Sequence, residues 1–450
     1  MTWTQHINRI IALGLPLIGS LMAQMAIQLT DTAMLGRYDV AALAGQVLGS
    51  TLFSIALLFG AGFGWSVTPV IAEAEARGHS TEIRRVTRMA FWLSAGFGAV
   101  VLPVFLLAGP LFVALGQEPA TAETAARYLS IQGLSIFPAL GLMVIRAYLS
   151  GLGRTRAQFW AMAAAFALNA AINYVLIFGA FGFPELGVTG AAIGSVISTT
   201  VAFLALAVHA AVATPEHDLF RNIWKPDSQA LSRVFHLGWP IGTATLAEAA
   251  LFSGATVLMG WLGTVPLAAH GIAMQIISII FMAHLGLSQA ATIRAGNAVG
   301  RNDPAGLRKG ALAALMLSCC VALPTLAALV FLPDPLIDLF LGRDEPAREA
   351  VLALGRGLLA AAALFQLADA AQVMAMGFLR GLQDTRVPMW LAGISYWVIG
   401  MPLAWLLGFP AGLGGVGVWL GMAGGLTVAA VTLQTRFWRR TRLAADPSRP

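Results

Sequence analysis

The chain is dominated by long apolar runs separated by short polar breaks. A helix needs about 20 apolar residues to cross a bilayer. Twelve runs meet that length: 10–36, 42–72, 87–115, 125–150, 157–181, 186–212, 233–262, 266–298, 308–333, 351–379, 387–408 and 413–437. Ten-residue alternating segments, the mark of an outer-membrane barrel, are missing from the pattern. The pattern therefore predicts an all-α polytopic membrane protein. No basic region followed by a short apolar stretch and a small-residue cleavage site opens the sequence, so the first run reads as a retained span.

Polar residues interrupt these runs at few places, and three of the interruptions are acids: Asp31, Glu248 and Asp369. A charge at bilayer depth costs at least about 2.5 kcal/mol on insertion scales, so it seldom persists without a task. In the first span, Gln24, Gln28 and Asp31 stand at i, i+4 and i+7, one stripe on one helical face. That stripe must face protein or water rather than lipid. It reads either as an interhelical hydrogen-bond seam or as a cation or proton site. In the fifth span, Asn169 and Asn173 share a face one turn apart. Their amides can donate to a carboxylate or lend a carbonyl oxygen to Na⁺.

The seventh span carries Glu248, with Thr245 one turn before and Phe252 one turn after. The tenth carries Gln366, Asp369 and Gln372 at intervals of three, on the face that also holds Phe365 and Met376. Two carboxylates in one low-dielectric lobe cannot both ionise cheaply without a cation, which favours a proton or Na⁺ there. Gln289, with Gln275, Ser278 and Ser288, is expected to line a substrate cavity with Phe365, Met376 and Phe252. His270 and His284 are expected to be satisfied core histidines.

The sequence repeats. Leu13-Gly14-Leu15-Pro16 returns as Leu237-Gly238-Trp239-Pro240, and Arg84-Arg85 as Arg308-Lys309. Further on, Arg146-Ala-Tyr-Leu-Ser-Gly-Leu-Gly-Arg-Thr-Arg156 returns as Met376-Gly-Phe-Leu-Arg-Gly-Leu-Gln-Asp-Thr-Arg386. The prediction is two six-helix pseudo-symmetric lobes: residues 1–212, a polar cytoplasmic linker at 213–232, and residues 233–450 ending in a basic tail. Transporters built this way bind substrate between lobes that rock. The acids break the repeat. Glu248 aligns with Gln24, Asp31 with Ala255 and Asp369 with Ala139.

Composition and charge sharpen this picture. The chain of 450 residues is 58% hydrophobic and 11% charged, with mean hydropathy +0.78. Soluble domains carry about 25% charged residues. The net charge of +6 raises the question of nucleic acid. Its distribution answers it. Of the Lys and Arg residues, all but Arg37, Arg127, Arg343, Arg348 and Arg356 fall on one side when the N-terminus is cytoplasmic. That is the positive-inside pattern, with both termini cytoplasmic, and no nucleic-acid partner is expected. Lys and Arg are expected at the span ends rather than near mid-membrane. The adjacent Cys319 and Cys320 point in different directions on a helix and predict no disulfide. With no GxxxxGK[ST] loop, ATP hydrolysis on this chain is not expected. Neither is enzymatic activity or a bound cofactor.

The order and spacing of several stretches resemble the multidrug and toxic compound extrusion (MATE) family, in its NorM-type branch. They are Thr30-Asp-Thr-Ala-Met-Leu-Gly36, Thr68-Pro69 with Gly78, Asn169 through Asn173-Tyr174 to Phe178-Gly179, Pro184-Glu185-Leu186-Gly187, and the Glu248 run. Leu267-Ala-Ala-His270, Ala290-Ala-Thr-Ile-Arg294, Gln366-Leu-Ala-Asp369, Arg380-Gly381 and Asp384-Thr385-Arg386-Val387-Pro388 follow. The resemblance implies an inner-membrane antiporter, monomeric in the bilayer, that exports varied and often cationic drugs as Na⁺ or H⁺ enters. It implies a coupling-cation site at Glu248 and Asp369, with Asp31 acting beside Asn169 and Asn173. Some NorM-type proteins carry an aromatic hydroxyl one turn before the tenth-helix acid. Phe365 stands there in this chain, which favours proton coupling. A flippase for lipids or lipid-linked sugars, from the wider superfamily, is the alternative; it would need cations facing a pyrophosphate. An intramembrane aspartyl hydrolase using Asp31 and Asp369 is disfavoured because the repeat puts the two in different lobes.

Overall fold

A computed structural model describes residues 1–341 and 346–443. Arg343 and the last residues of the basic tail lie outside the described residues. Among the described residues the regular elements are helices, and no strand occurs. Twelve helices are long and apolar enough to cross a membrane. They are α1 (Trp3–Tyr38), α2 (Ala42–Arg77), α3 (Ser80–Leu106), α4 (Pro119–Gly151), α5 (Thr155–Phe178) and α6 (Gly187–Ala213). The second six are α7 (Ser228–Leu262), α8 (Thr264–Gly300), α9 (Pro304–Phe331), α10 (Arg348–Gly381), α11 (Arg386–Gly408) and α12 (Gly414–Arg442). Each overlaps one of the apolar runs read from the sequence; the third run, 87–115, continues past α3 into a separate short helix, Ala108–Ala114.

Local chemistry sets the helix ends. Asp39 accepts from Ala42 N at 2.9 Å ahead of α2, and Asp303 from Gly306 N at 2.7 Å ahead of α9. Each satisfies a backbone donor that the first helical turn leaves open. Pro119 and Pro304 occupy first-turn positions, where a missing N–H costs nothing. Inside α11 the effect of proline is different. Pro402 cannot donate and its ring crowds the carbonyl four residues back, and the turn before it, Ile394–Gly400, is π-helical.

The chain divides into two compact units, Gly19–Gly242 and Met1–Ile18 with Thr243–Pro450. These units are not the two chain halves. The first part of α1 packs with the second half, and the first part of α7 packs with the first half. Both divisions fall two residues after a proline, Pro16 in α1 and Pro240 in α7. The prolines are repeat-related. Each removes a ladder hydrogen bond at the point where the helix passes from one unit to the other.

Within Gly19–Gly242 the core gathers Val67, Ile71, Val144, Tyr148, Leu206 and Val234. A smaller cluster gathers Leu35, Tyr128, Ile177 and Ala192. Within the other unit, α8 and α10 are joined by hydroxyls. Ser288 Oγ donates to the Val373 carbonyl at 2.6 Å and Thr292 Oγ1 to the Gly377 carbonyl at 2.9 Å. Helices in lipid gain little from hydrophobic burial against one another, so such bonds and close van der Waals packing hold them. Gly377 permits the approach, because a β-carbon there would meet the Ser288 side chain and backbone.

The linker is more ordered than a plain solvated connector. Tyr148 Oη pairs with Thr214 Oγ1 at 2.7 Å and with His217 Nδ1 at 2.6 Å. Trp92 Nε1 donates to the Ile223 carbonyl at 2.7 Å, and Arg88 to that of Asn222 at 3.2 Å. Asp227 ends the linker in a two-pronged ion pair with Arg85. Its Oδ1 also accepts from Ala230 N at 3.0 Å, capping α7. The Arg85 hydrogen bond holds the Asp227 carboxyl at about 2, below the usual 3.8. Thr214, His217 and Asp227 are the polar residues that fasten the segment.

Candidate functional site

In the unit Gly19–Gly242, α1, α5 and α6 bring polar groups together. Asn173 Nδ2 donates to Asp31 Oδ1 at 2.6 Å, and Ser195 Oγ to Asp31 Oδ2 at 3.4 Å. Asn173 also reaches Asn169 Oδ1 at 3.4 Å, and Asn169 Nδ2 donates to Ser198 Oγ at 3.2 Å. Asp31 is 8% exposed and both asparagines are fully buried. Both bonds at Asp31 are donated to the carboxylate, the arrangement that an acceptor-only, ionised acid calls for, while Asn173 and Asn169 also donate outwards along the chain. Gly194 makes room for it, since a β-carbon there would collide with the Asn173 amide. Tyr128 is buried within electrostatic reach of Asp31, with Gln46 at its hydroxyl.

The predicted first-span stripe separates. Gln24 turns to Arg146 of α4, accepting from Nη1 at 2.9 Å, while Ser20 accepts from Nη2 at 3.1 Å. Gln28 is exposed. Only Asp31 of the three joins the asparagines. Arg146 is itself 6% exposed and is held by neutral acceptors.

In the other unit, α7, α10 and α11 supply the second cluster. Asp369 is 1% exposed, with Gln366 and Gln372 buried beside it on the same face of α10. Glu248 is half-buried, but its Oε1 is wholly enclosed. The two carboxylates lie within electrostatic reach of each other. Arg380, at the end of α10, reaches Glu248 by charge without forming a close ion pair. Tyr396 of α11 accepts from Gln372 Nε2 at 2.8 Å and lies within reach of Glu248. Among the described residues, Glu248 Oε1, Asp369 Oδ1, Gln366 Oε1 and Nε2, Gln372 Oε1 and Arg380 Nε have no hydrogen-bond partner within the protein. A buried polar atom left so costs about 1–3 kcal/mol. The free acceptors are oxygens, which suit a proton or a hard monovalent cation.

Phe365 is closed in rather than open to a cavity. It packs edge-on against Phe252, with ring centres 5.8 Å apart, and against Trp419 at 5.4 Å. His270 Nδ1 accepts from Trp419 Nε1 at 3.1 Å, and its Nε2 pairs with Thr256 Oγ1 at 3.1 Å. His270 is thus a satisfied core histidine, as expected from the sequence. His284 pairs with Ser318 Oγ at 2.9 Å through Nδ1, but its Nε2 has no hydrogen-bond partner. Met376 is buried on α10, and Gln289 is half-buried on α8 beside Ser288.

Arg146 and Arg380 lie towards the ends of α4 and α10, as the linear pattern suggests, but both are turned into the protein: Arg146 is 6% exposed, and Arg380 stands within charge reach of Glu248. Both look like cytoplasmic-end residues in the linear pattern, because each precedes a Gly-rich turn by a few positions. Ser195, Ser198, Tyr128 and Tyr396 were not singled out either. Single hydroxyls in apolar helices give little sequence signal. The one available hint at Tyr396 is the proline six residues later.

The MatE family model matches residues 16–175 and 240–406. A protein of Rhizobium meliloti named "Probable multidrug resistance protein NorM" is 43% identical, covering 99% of this chain and 96% of its own. One of the same name from Agrobacterium fabrum is 40% identical, covering 97% and 94%. Among solved structures, a MATE protein in complex with MaL6 superposes with a TM-score of 0.90 at 20% identity, covering 98% and 97%. The eukaryotic MATE transporter AtDTX14 gives 0.86 at 17% identity, covering 98% of each chain.

Proposed function

Since the chain belongs to the MatE family, we propose that it is a multidrug efflux antiporter that exports organic cations in exchange for H⁺ or Na⁺. The relatives' naming as multidrug resistance proteins supports drugs as the exported class. The observation that carries the coupling is the Glu248–Asp369 pair, buried in one unit with Arg380 beside it. With both acids ionised and Arg380 charged, the cluster bears one net negative charge. One monovalent cation neutralises it, whether that cation is a drug, a proton or Na⁺.

The coupling ion and the cationic drug therefore compete for the same charge. Binding of H⁺ or Na⁺ at Glu248 and Asp369 weakens the hold on the drug, which leaves to the outside. Release of the ion to the cytoplasm restores the negative charge. Alternating access connects the two steps. Entry of one cation through 100 mV supplies about 2.3 kcal/mol, in addition to any chemical gradient. The Asp31, Asn173, Asn169 and Ser198 chain is a second place where a proton can be held. The protein works in the inner (plasma) membrane with both termini cytoplasmic, as its basic residues suggest.

A lipid-linked sugar carrier would need arginines free to meet pyrophosphate. Arg146 is engaged by Gln24 and Ser20, and Arg380 faces Glu248, which supports the antiporter over the flippase. The test is transport of ethidium in proteoliposomes under a Na⁺ gradient or a pH gradient, each imposed alone. Movement under either supports ion-coupled efflux and identifies the ion. No movement under both, with monodisperse protein, contradicts it.

A further inference from the structure

Tyr396 sits at a place where the linear pattern offers only Pro402, six residues on, as a hint. It lies in the π-helical turn Ile394–Gly400, which precedes Pro402. Such turns inside α-helices recur at functional sites, because the extra residue redirects side chains. Here the turn buries Tyr396 to 1% exposure, while the next residues Trp397 and Val398 are 43% and 66% exposed. Trp397 fixes the alignment by donating from Nε1 to the Ala247 carbonyl at 3.2 Å, one residue from Glu248.

The hydrogen bonds at Tyr396 have a direction. Gln372 Nε2 donates to its oxygen at 2.8 Å, so a lone pair is already used. The hydroxyl retains one proton, and the carboxylate within its reach is Glu248. The charged groups around it are Glu248, Asp369 and Arg380. Gln372 belongs to the same face of α10 as Asp369. Tyr396 is thus bonded to the acid-bearing face of α10, while its neighbour Trp397 is bonded to α7 beside Glu248.

We propose that Tyr396 is a positioning residue for ion coupling, holding Glu248 in its ionised orientation by donating its hydroxyl proton while Gln372 fixes the ring. This inference rests on the reading of Glu248 and Asp369 as the coupling pair. When Glu248 takes up a proton, the Tyr396 hydroxyl loses its charged acceptor, and the link between α7 and α11 slackens.

The experiment uses the full chain in proteoliposomes, with ethidium transport driven by a pH gradient at a series of pH values. Tyr396→Phe removes only the hydroxyl. A hydrogen bond worth about 1 kcal/mol corresponds to about 0.7 of a pH unit. The expected result is a shift of at least that size in the pH of half-maximal transport, with transport retained. Gln372→Met, which leaves the hydroxyl but frees the ring, is expected to shift it less. Glu248→Gln is the control and is expected to abolish coupled transport. An unmoved midpoint in both Tyr396→Phe and Gln372→Met, with Glu248→Gln inactive, overturns the role of Tyr396 and leaves the carboxylate pair standing. Full coupled transport in Glu248→Gln overturns both.

Discussion

Asn173 of α5 donates to Asp31 of α1 at 2.6 Å, closing a buried contact between two residues 142 positions apart. It is the shortest link in a chain that continues to Asn169 and Ser198. Asn173→Leu leaves Asp31 with the longer Ser195 bond alone. A hydrogen bond to a charged group is worth about 1.5–3 kcal/mol. The variant is expected to lower the thermal midpoint of the detergent-solubilised protein by several degrees.

Asp31→Asn separates a structural seam from a transport role. The substitution keeps the shape and much of the hydrogen bonding but removes the charge. Ethidium efflux is expected to fall by roughly tenfold or more, which corresponds to about 1.4 kcal/mol, while the elution profile stays that of the wild type. Wild-type efflux would make Asp31 part of a seam.

Gly194 tests the packing that brings α6 to this site. A valine there collides with the Asn173 amide. Overpacking of this kind costs about 1–3 kcal/mol. Gly194→Val is expected to lower the thermal midpoint, and Asn173→Ala in the same chain to recover part of the loss by removing the obstructing amide.

At the linker, the prediction concerns pH. The Asp227 carboxyl titrates at about 2 in the folded protein, against 3.8 ordinarily. Its contribution to stability is present above 3.8 and is lost as the pH falls through about 2. Arg85 is 40% exposed, so solvent screening limits the pair to about 0.5–1 kcal/mol. Arg85→Met is expected to be less stable than the wild type at pH 6. That difference should shrink as the pH approaches 2, measured by thermal melts across the range.

Much of the architecture was readable because lipid imposes a simple rule. Backbone groups must pair within the span, so each span declares itself as one long apolar run. The acids were readable for the converse reason: Asp31, Glu248 and Asp369 are conspicuous in such runs. Other features were hidden. The passage of α1 and α7 between units depends on packing around Pro16 and Pro240, and the repeat alone does not reveal it. Arg380 reads as a positive-inside residue at a helix end until α7 places Glu248 near it. Gln28 shares the helical face of Gln24 and Asp31 by spacing, yet it is exposed, because α4 and α5 engage only the other two. Tyr396 depends on a π-helical turn, a register shift that apolar periodicity does not encode.

The most direct test of the account is ethidium transport by Glu248→Gln and Asp369→Asn proteins in proteoliposomes under an imposed pH or Na⁺ gradient. Each variant keeps the side-chain shape and removes one of the two charges in the buried pair. Loss of gradient-driven transport in both, by about tenfold or more, with wild-type elution profiles, is the predicted result. Wild-type transport in both would contradict the assignment of the coupling site to this pair.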